Sequence, residues 1–206
     1  VCAALITGCT GTPKGIEPIS NFSADDFYGT WHEVARLDHS FEENLTLVTA
    51  SYQALPNQEI SVTNRGFNTE EKEWEQASGK AKFVEDPTTG HLKVSFFGPF
   101  YSSYVVFYLE DDVALVTSYN KDYLWILSKD HQLNDADVTK YVDIAKQAGF
   151  DTDKLIFDQD DKYELEGRQA LYQYEEDADR VTPLSEDDYE SAEMHIMPAP
   201  GAAKIN

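Results

Sequence analysis

Short segments rich in Val, Ile, Thr and aromatic residues follow one another along the first 130 residues of the chain. Several of them alternate apolar and polar positions, as where Leu92, Val94 and Phe96 are separated by Lys93 and Ser95. This period of two is typical of a strand with one buried face. Clusters of Asn, Asp, Gly and Pro, which favour turns, separate the segments. The pattern predicts eight strands, at 30–38, 46–55, 59–67, 75–84, 91–97, 104–110, 113–119 and 123–129.

The links between the predicted strands are short, so consecutive strands are expected to pair as antiparallel hairpins. An all-β, eight-stranded up-and-down barrel closes such a meander most economically, whereas a sandwich would usually need longer crossing connections. A barrel of this size has an interior that side chains fill or that holds one small ligand. The segments YVVFYL and YLWIL are apolar on both faces. They predict that the outside of the barrel is covered as well, by a helix or by another subunit.

One amphipathic helix is expected after the strands, in NDADVTKYVDIAKQAGF. Asn134 is a favourable N-cap residue, and Gly149 suits the C-terminal cap. The apolar stripe along this helix is formed by Val138, Tyr141, Val142, Ala145 and Ala148. A stripe this narrow must pack on another element, and we expect it to lie outside the barrel. KLIFD at 154–158 predicts a short ninth strand.

Charge limits the classes of partner. The formal net charge is -22, and a nucleic-acid-binding protein must instead neutralise phosphates with Lys and Arg. The same acidity disfavours a protein surface that lies flat on anionic lipid. No run approaches 18 uninterrupted apolar residues, so no transmembrane helix is predicted. Residues 160–206 contain thirteen acidic residues against four basic ones and predict a solvated, largely disordered tail, with a partner-binding or cation-collecting tail as the alternative.

The start of the sequence resembles the end of a bacterial lipoprotein signal. VCAALI is apolar and rich in small residues, and Ile6-Thr7-Gly8-Cys9 resembles a lipobox, whose cysteine becomes an acylated N-terminus. We therefore interpret 1–8 as a signal-peptide remnant, Cys9 as the lipid attachment site and 9–20 as a lipidated linker. Thr10 stands where an Asp would retain a lipoprotein in the inner membrane, so the outer membrane is expected. Cys2 would leave with the signal peptide, which leaves no free thiol.

Catalytic and metal-binding patterns find little support in the sequence. The five histidines are scattered without metal-ligand spacing. Acid pairs such as Asp25-Asp26 and Glu42-Glu43 fall in predicted loops and are interpreted as solvated surface. Neither a glycine-rich phosphate loop nor a Gly-x-Ser-x-Gly motif occurs. We predict no catalytic residue, no metal and no cofactor.

Several blocks resemble the lipocalin family over about 21–159. NFSADDFYGTWHEVARLDHSFEENL resembles its first conserved block, with Gly29-Thr30-Trp31 as the Gly-x-Trp signature. DYLWILSK resembles the third block, although Lys129 stands where the family usually has Arg. Thr117-Ser118-Tyr119 departs from the usual Thr-Asp-Tyr of the middle block. NRGFN, GKAKF and LKVSFFGPFYSSY are similar to segments of the bacterial outer-membrane lipocalins, which are related to apolipoprotein D.

The resemblance implies roles for particular residues. Trp31 would close the barrel floor, with the cation of Lys129 across its ring, as structural residues of the family motif together with Gly29. The aromatic run SFFGPFY could be ordinary core, a membrane contact or the wall of a pocket; we favour the pocket. The expected lining residues are Ala35, Tyr52, Phe96, Tyr104, Val105, Phe107 and Trp125. The direction in which Tyr104 points stays open.

These observations together predict a lipid-anchored lipocalin of a bacterial outer membrane that faces the periplasm. Its expected ligand is a fatty acid or a lysophospholipid, bound for lipid storage, transport or membrane maintenance. Two alternatives remain: a lipocalin-fold enzyme acting on a lipophilic substrate, and a structural lipoprotein whose barrel is filled. Whether two barrels pair as a homodimer also stays open.

Overall fold

The computed structural model describes residues 10–130 and 133–158. Cys9, the signal-peptide remnant predicted at 1–8 and the tail predicted at 160–206 lie outside the described residues. Two helices and nine strands form the domain: α1 (Ala24–Phe27), β1 (Gly29–Leu37), β2 (Leu45–Ala54), β3 (Ile60–Asn68), β4 (Glu73–Phe83), β5 (His91–Phe97), β6 (Phe100–Glu110), β7 (Val113–Thr117), β8 (Leu124–Ser128), α2 (Asp135–Gln147) and β9 (Leu155–Phe157). Within this part of the chain no helix has the length and apolarity to cross a membrane.

The strands form a closed antiparallel barrel. Each of β2 to β7 pairs with the next strand along the chain, and β8 pairs with β1. The barrel closes because β1 also pairs with β2, with Trp31 opposite Ala50. The short β9 adds to the outside of β1, where Phe157 lies opposite Ala35. The predicted up-and-down barrel and the ninth strand are therefore confirmed.

Apolar side chains occupy both faces of part of the wall. One buried cluster fills the interior and includes Trp31 and Val116, and a second lies outside, between the wall and α2. All five residues of β7 are buried, because one face meets the interior and the other is covered. The apolar character of both faces, seen in the sequence, thus has the predicted cause.

The helix begins and ends as its sequence predicts. The Asn134 side chain accepts hydrogen bonds from the backbone N–H groups of Ala136 and Asp137, each at 3.0 Å. Gly149 has φ +87°, a conformation that suits glycine at a helix C-terminus. Tyr141 and Ala145 are buried against the barrel wall. Both caps and the packing of the helix outside the barrel are confirmed.

Strand β6 is longer than predicted. It begins at Phe100 rather than at 104, because Phe97 and Phe100 pair directly across the turn Gly98-Pro99. A two-residue turn of this kind continues both strands to its edge, so Tyr101 belongs to the ladder and not to a loop.

The lower end of the barrel is closed by the segment that precedes β1. The Trp31 indole N–H donates to the Phe27 carbonyl oxygen at 2.8 Å, and the two rings stack with centres 4.9 Å apart. The Lys129 ammonium lies 5.1 Å from the centre of the Trp31 ring and donates to the Asp26 carbonyl oxygen at 2.7 Å. Gly29 has φ +108°, which a side chain would strain. These contacts fix the floor in place.

The segment before the floor is packed rather than free. Ile16 is buried in the outer cluster, and the Ile19 N–H donates to the Val106 carbonyl oxygen at 2.9 Å. The linker predicted at 9–20 is therefore part of the domain from Ile16 onward.

Candidate ligand cavity inside the barrel

A cavity opens from the barrel interior towards the β1–β2 loop and the β5–β6 turn. Its empty space is about 510 Å³, including the part that is open to solvent. The apolar and aromatic lining residues are Phe41, Val48, Ala50, Tyr52, Val62, Val94, Phe96, Tyr104, Trp125 and Leu127, and the polar ones are Glu33, Glu42 and Asn64.

Two tyrosines form the floor of the cavity. The hydroxyl oxygens of Tyr52 and Tyr104 are 2.7 Å apart in a hydrogen bond, and the Tyr52 ring packs on Phe27 with centres 4.9 Å apart. Burial raises the pKa of the Tyr104 hydroxyl well above its usual range, and burial likewise raises the pKa of Tyr52. Both phenols are therefore protonated at neutral pH. Tyr104, whose direction the sequence left open, points inward.

Four of the seven residues predicted to line a pocket are on this cavity: Tyr52, Phe96, Tyr104 and Trp125. The prediction that Ala35 would join them is wrong. A shift in the pairing of β1 with β8 between Glu33 and Ala35 breaks the alternation, so Ala35 packs in the outer cluster.

Val105 and Phe107 are also misplaced by the prediction. Successive residues of a strand point to opposite faces, so Val105 cannot share the inward direction of Tyr104. Val105 is fully buried in the outer cluster, and the Phe107 ring stacks on Phe150 just after α2, with ring centres 5.4 Å apart. These two residues support the helix and do not reach the cavity.

One wall of the cavity is charged and buried, which the sequence did not reveal. Arg36 Nη1 donates to Glu33 Oε1 at 2.7 Å, and Arg36 Nε lies 3.5 Å from Glu42 Oε2. Arg36 Nη2 donates to the backbone carbonyl oxygens of Glu42, at 2.9 Å, and Leu45, at 3.3 Å. Arg36 thus holds the β1–β2 loop over the barrel. The interpretation of Glu42 as solvated surface is wrong, since only 3% of the residue is exposed.

Comparison with known proteins decides the family. The model of the lipocalin-like domain matches residues 22–160. The chain belongs to the lipocalin family. It is 47% identical over 160 residues to outer membrane lipoprotein Blc of Vibrio cholerae serotype O1, covering 76% of this chain and 94% of that relative. Outer membrane lipoprotein Blc of Escherichia coli K12 is 41% identical over 159 residues, covering 75% and 90%.

More distant lipocalins share the architecture. Mouse apolipoprotein D is 25% identical over 146 residues, covering 66% of this chain and 75% of that protein. Among solved structures, insecticyanin of the tobacco hornworm Manduca sexta matches with a TM-score of 0.60 and 23% identity, covering 72% of this chain and 86% of that one. At this identity the structural likeness shows the fold alone, and the fold agrees with the barrel described above.

The charged wall of this lipocalin contains more acid than base. Two buried carboxyl groups share one guanidinium group, and an unpaired buried charge is costly. Burial, followed by the charge of Glu33, raises the pKa of Glu42 well above its usual range. Burial also raises the pKa of Glu33, although the Arg36 charge opposes it. Burial therefore favours the protonated forms of both carboxyl groups, and the Arg36 charge opposes this effect.

His39 completes this wall as a neutral side chain. Its ring stacks on Phe41, with centres 3.7 Å apart, and its Nε2 lies 3.5 Å from Glu42 Oε2. Burial, with the Arg36 charge adding to it, lowers the pKa of His39 to about 3. The imidazole is consequently unprotonated throughout the range in which an exposed histidine titrates.

We expect His39 to make the domain less stable in acid. Between its unfolded pKa near 6.5 and its folded pKa near 3, the unfolded chain binds a proton that the folded chain does not, so stability falls as the pH decreases through this window. From pH 6.5 to pH 5 the loss is about 2 kcal/mol. His39→Phe keeps the stack and should abolish this increment. Urea unfolding of both proteins at the two pH values measures it; equal losses in the two proteins would contradict the assignment.

The sequence contains a weak sign of this wall. Glu33 is two residues after Trp31, so alternation alone would point it into the barrel with the tryptophan. The spacing of Glu33 and Arg36 does not by itself predict an ion pair, because residues three apart on a regular strand point to opposite faces. The bulge at Glu33–Ala35 brings the two side chains onto one face, and the sequence gives no indication of that bulge.

Proposed function

We propose that this lipocalin is a membrane-anchored lipid carrier that binds the acyl chain of a fatty acid or lysophospholipid in its barrel cavity. The observation that carries the proposal is the cavity itself, which opens at one end and has a lining that is mostly apolar around a Tyr52–Tyr104 floor. Removal of each methylene from water contributes about 0.8 kcal/mol. A long acyl chain can therefore bind usefully after the cost of ordering it is subtracted.

The charged wall supports one orientation of the ligand. A phosphate or carboxylate placed against Glu33 and Glu42 would meet carboxyl groups and would lose its hydration. The acyl chain is expected to enter first, along Val62, Val94 and Phe96, and an anionic head group would stay at the open mouth.

The anchor is part of the same proposal. The two Blc relatives are named outer membrane lipoproteins. The lipobox-like Ile6-Thr7-Gly8-Cys9 supports the same attachment for this chain, with acylated Cys9 in the outer membrane and the barrel in the periplasm. Several acyl chains on one cysteine would hold far more firmly than a single chain.

A titration with lysophosphatidylcholine tests the carrier function. The full chain with Cys9→Ser avoids detergent, and Trp125, which lies on the cavity, should report binding through its fluorescence. We expect saturation near one lipid per barrel, and the lipid should be recovered chemically unchanged. Trp125→Phe serves as the control. It should lose most of the fluorescence signal but still bind the lipid, and the amount of lipid that the protein retains measures this binding. Steady release of a modified lipid would instead support the enzyme alternative.

A further inference from the structure

The outer surface of β3 to β6 has a charge opposite to that of the chain as a whole. Its members alternate with interior residues such as Val62, Ala81 and Val94, and we call them the β3–β6 face. They are Ser61, Thr63, Arg65, Gln76, Ser78, Lys80, Lys82, His91, Lys93, Ser95, Phe97, Tyr101 and Ser103. Two of these residues, Ser95 and Ser103, are buried.

The face contains four of the basic residues and none of the 38 acidic residues of the chain. Glu59 lies just before β3, at the border of the face. Its carboxylate forms an ion pair with the Lys82 ammonium at 2.7 Å. Lys80 is exposed, and the Lys93 ammonium lies 5.4 Å from the centre of the Tyr101 ring. In a chain of net charge -22, such segregation concentrates positive potential on one side.

Two exposed aromatic residues are at the upper end of this face. Phe97 is 57% exposed and Phe100 is 55% exposed, and they flank the β5–β6 turn beside the cavity mouth. Phe96, the residue before Phe97 in β5, points instead into the cavity. The aromatic run therefore has two directions, one into the cavity and one outward.

The chain approaches the proposed anchor at the lower end of the same face. The backbone of Thr10 is close to the imidazole of His91, the first residue of β5, whose Nε2 is 3.0 Å from Ser103 Oγ. Cys9 directly precedes Thr10. From His91 to Phe97 the strand extends about 20 Å. Thr10 and the exposed aromatic rings thus lie at opposite ends of one basic face.

The helix leaves this side of the barrel uncovered. Helix α2 packs against Leu115 of β7 and Ile126 of β8, and Ala35 of β1 lies in the same cluster. Val105 and Phe107 of β6 also lie in this cluster, whereas Lys80 and Phe97 are outside it and exposed, so the part of the β3–β6 face around them is available to a partner.

We propose that the β3–β6 face docks on the phospholipid surface in which Cys9 is anchored. Lys80 and Lys93 lie over lipid phosphates, Phe97 and Phe100 enter the boundary between head groups and acyl chains, and the cavity mouth beside them meets the bilayer. Aromatic rings and basic side chains are the groups that favour this interface. The proposed position of the face on the anchoring membrane rests on the proposed anchor at Cys9. The affinity of the face for lipid does not depend on that anchor. The acidic remainder of the surface keeps the barrel from binding in other orientations.

Vesicle flotation of the full chain with Cys9→Ser tests the face without its anchor. The vesicles contain equal parts of phosphatidylethanolamine and phosphatidylglycerol, at low salt. We expect Lys80→Gln with Lys93→Gln to weaken partitioning by about 25-fold, since each cation near an anionic surface contributes about fivefold. The matched control is Lys140→Gln with Lys146→Gln on α2, which should change partitioning by less than about twofold.

The aromatic contribution has its own control. Phe97→Ser with Phe100→Ser should weaken partitioning by at least about tenfold at any salt concentration, because apolar burial is not screened. Ile156→Ser with Phe157→Ser removes the two exposed apolar residues of β9 and should have no comparable effect. Equal losses for the face variants and their controls would overturn the proposal. The proposal would also be overturned if the Phe97 and Phe100 changes left vesicle partitioning unchanged and altered only the oligomeric mass measured by sedimentation. The two rings would then contact a second copy of the chain.

Failure of this proposal and failure of the carrier function are distinguishable. The face variants should keep wild-type affinity for lysophosphatidylcholine in solution, because none of the four residues lines the cavity. Cavity variants should keep their affinity for vesicles.

Discussion

Phe96→Asp is expected to abolish binding of an acyl lipid while the barrel stays folded. Phe96 lies on the cavity and is only half-buried, so an aspartate there can be hydrated when the cavity is empty. An acyl chain would remove that water from the carboxylate, at a cost of at least about 3 kcal/mol, or about 100-fold in affinity. Circular dichroism and a lysophosphatidylcholine titration on the same sample measure both parts of this prediction.

The next residue supplies the control. Phe97→Asp introduces the same charge one position along the same strand, but Phe97 points outward, so lipid binding in solution should persist. An unfolded Phe96→Asp protein would support a filled core. A folded Phe96→Asp protein that binds lysophosphatidylcholine as the wild type does would show that the cavity is not the lipid site.

Arg36→Met is expected to cause the largest loss of stability. The substitution keeps much of the side-chain volume but leaves Glu33 and Glu42 buried without their cation, which typically costs about 3–5 kcal/mol. It also removes the hydrogen bonds to the carbonyl oxygens of Glu42 and Leu45, so the β1–β2 loop should loosen over the cavity. Urea unfolding at neutral pH measures the loss. A change below about 1 kcal/mol would contradict this role of Arg36.

The pH dependence and a rescue variant identify the cause. Without Arg36 the folded-state pKa values of Glu33 and Glu42 rise further above the unfolded value near 4.5, so stability is lost as the pH increases. The deficit of Arg36→Met should therefore be smaller at pH 5 than at pH 8. Adding Glu33→Gln and Glu42→Gln should recover most of the loss at pH 8, because no buried carboxylate remains.

The sequence predicts the strands because alternation and turn residues are local signals. Each hairpin link is marked by turn residues, and the α2 caps Asn134 and Gly149 are read directly. The barrel follows from eight such strands in a meander. Only the ends of the strands differ, as in β6, where the pairing of Phe97 with Phe100 depends on turn geometry.

Site residues are predicted where the period of two in the sequence matches the direction of the side chains. Phe96 follows Leu92 and Val94 at this period, and it is on the cavity as expected although the pairing of β5 with β6 is irregular between Val94 and Phe97. Ala35 fails because a bulge, which depends on the paired strand, reverses its direction. Glu42 fails because a loop residue has no period, and its burial depends on Arg36, six residues away on another element.

The β3–β6 face shows a third kind of limit. Net charge is a property of the whole chain, and from it we expected no surface that favours anionic lipid. The arrangement on four paired strands brings Arg65, Lys80, Lys82 and Lys93 onto one face, with Glu59 paired to Lys82 at its border. Strand pairing, and not composition, determines which charges share a face.

Native mass spectrometry of the protein without its proposed anchor tests the lipid-carrier assignment most directly. The chain with Cys9→Ser, purified without detergent, should carry one added mass equal to a single fatty acid or lysophospholipid per barrel. The Phe96→Asp protein, prepared in the same way, should carry none, and Phe97→Asp should match the parent. A parent protein that carries no lipid and gains none after incubation with lysophosphatidylcholine would contradict the account.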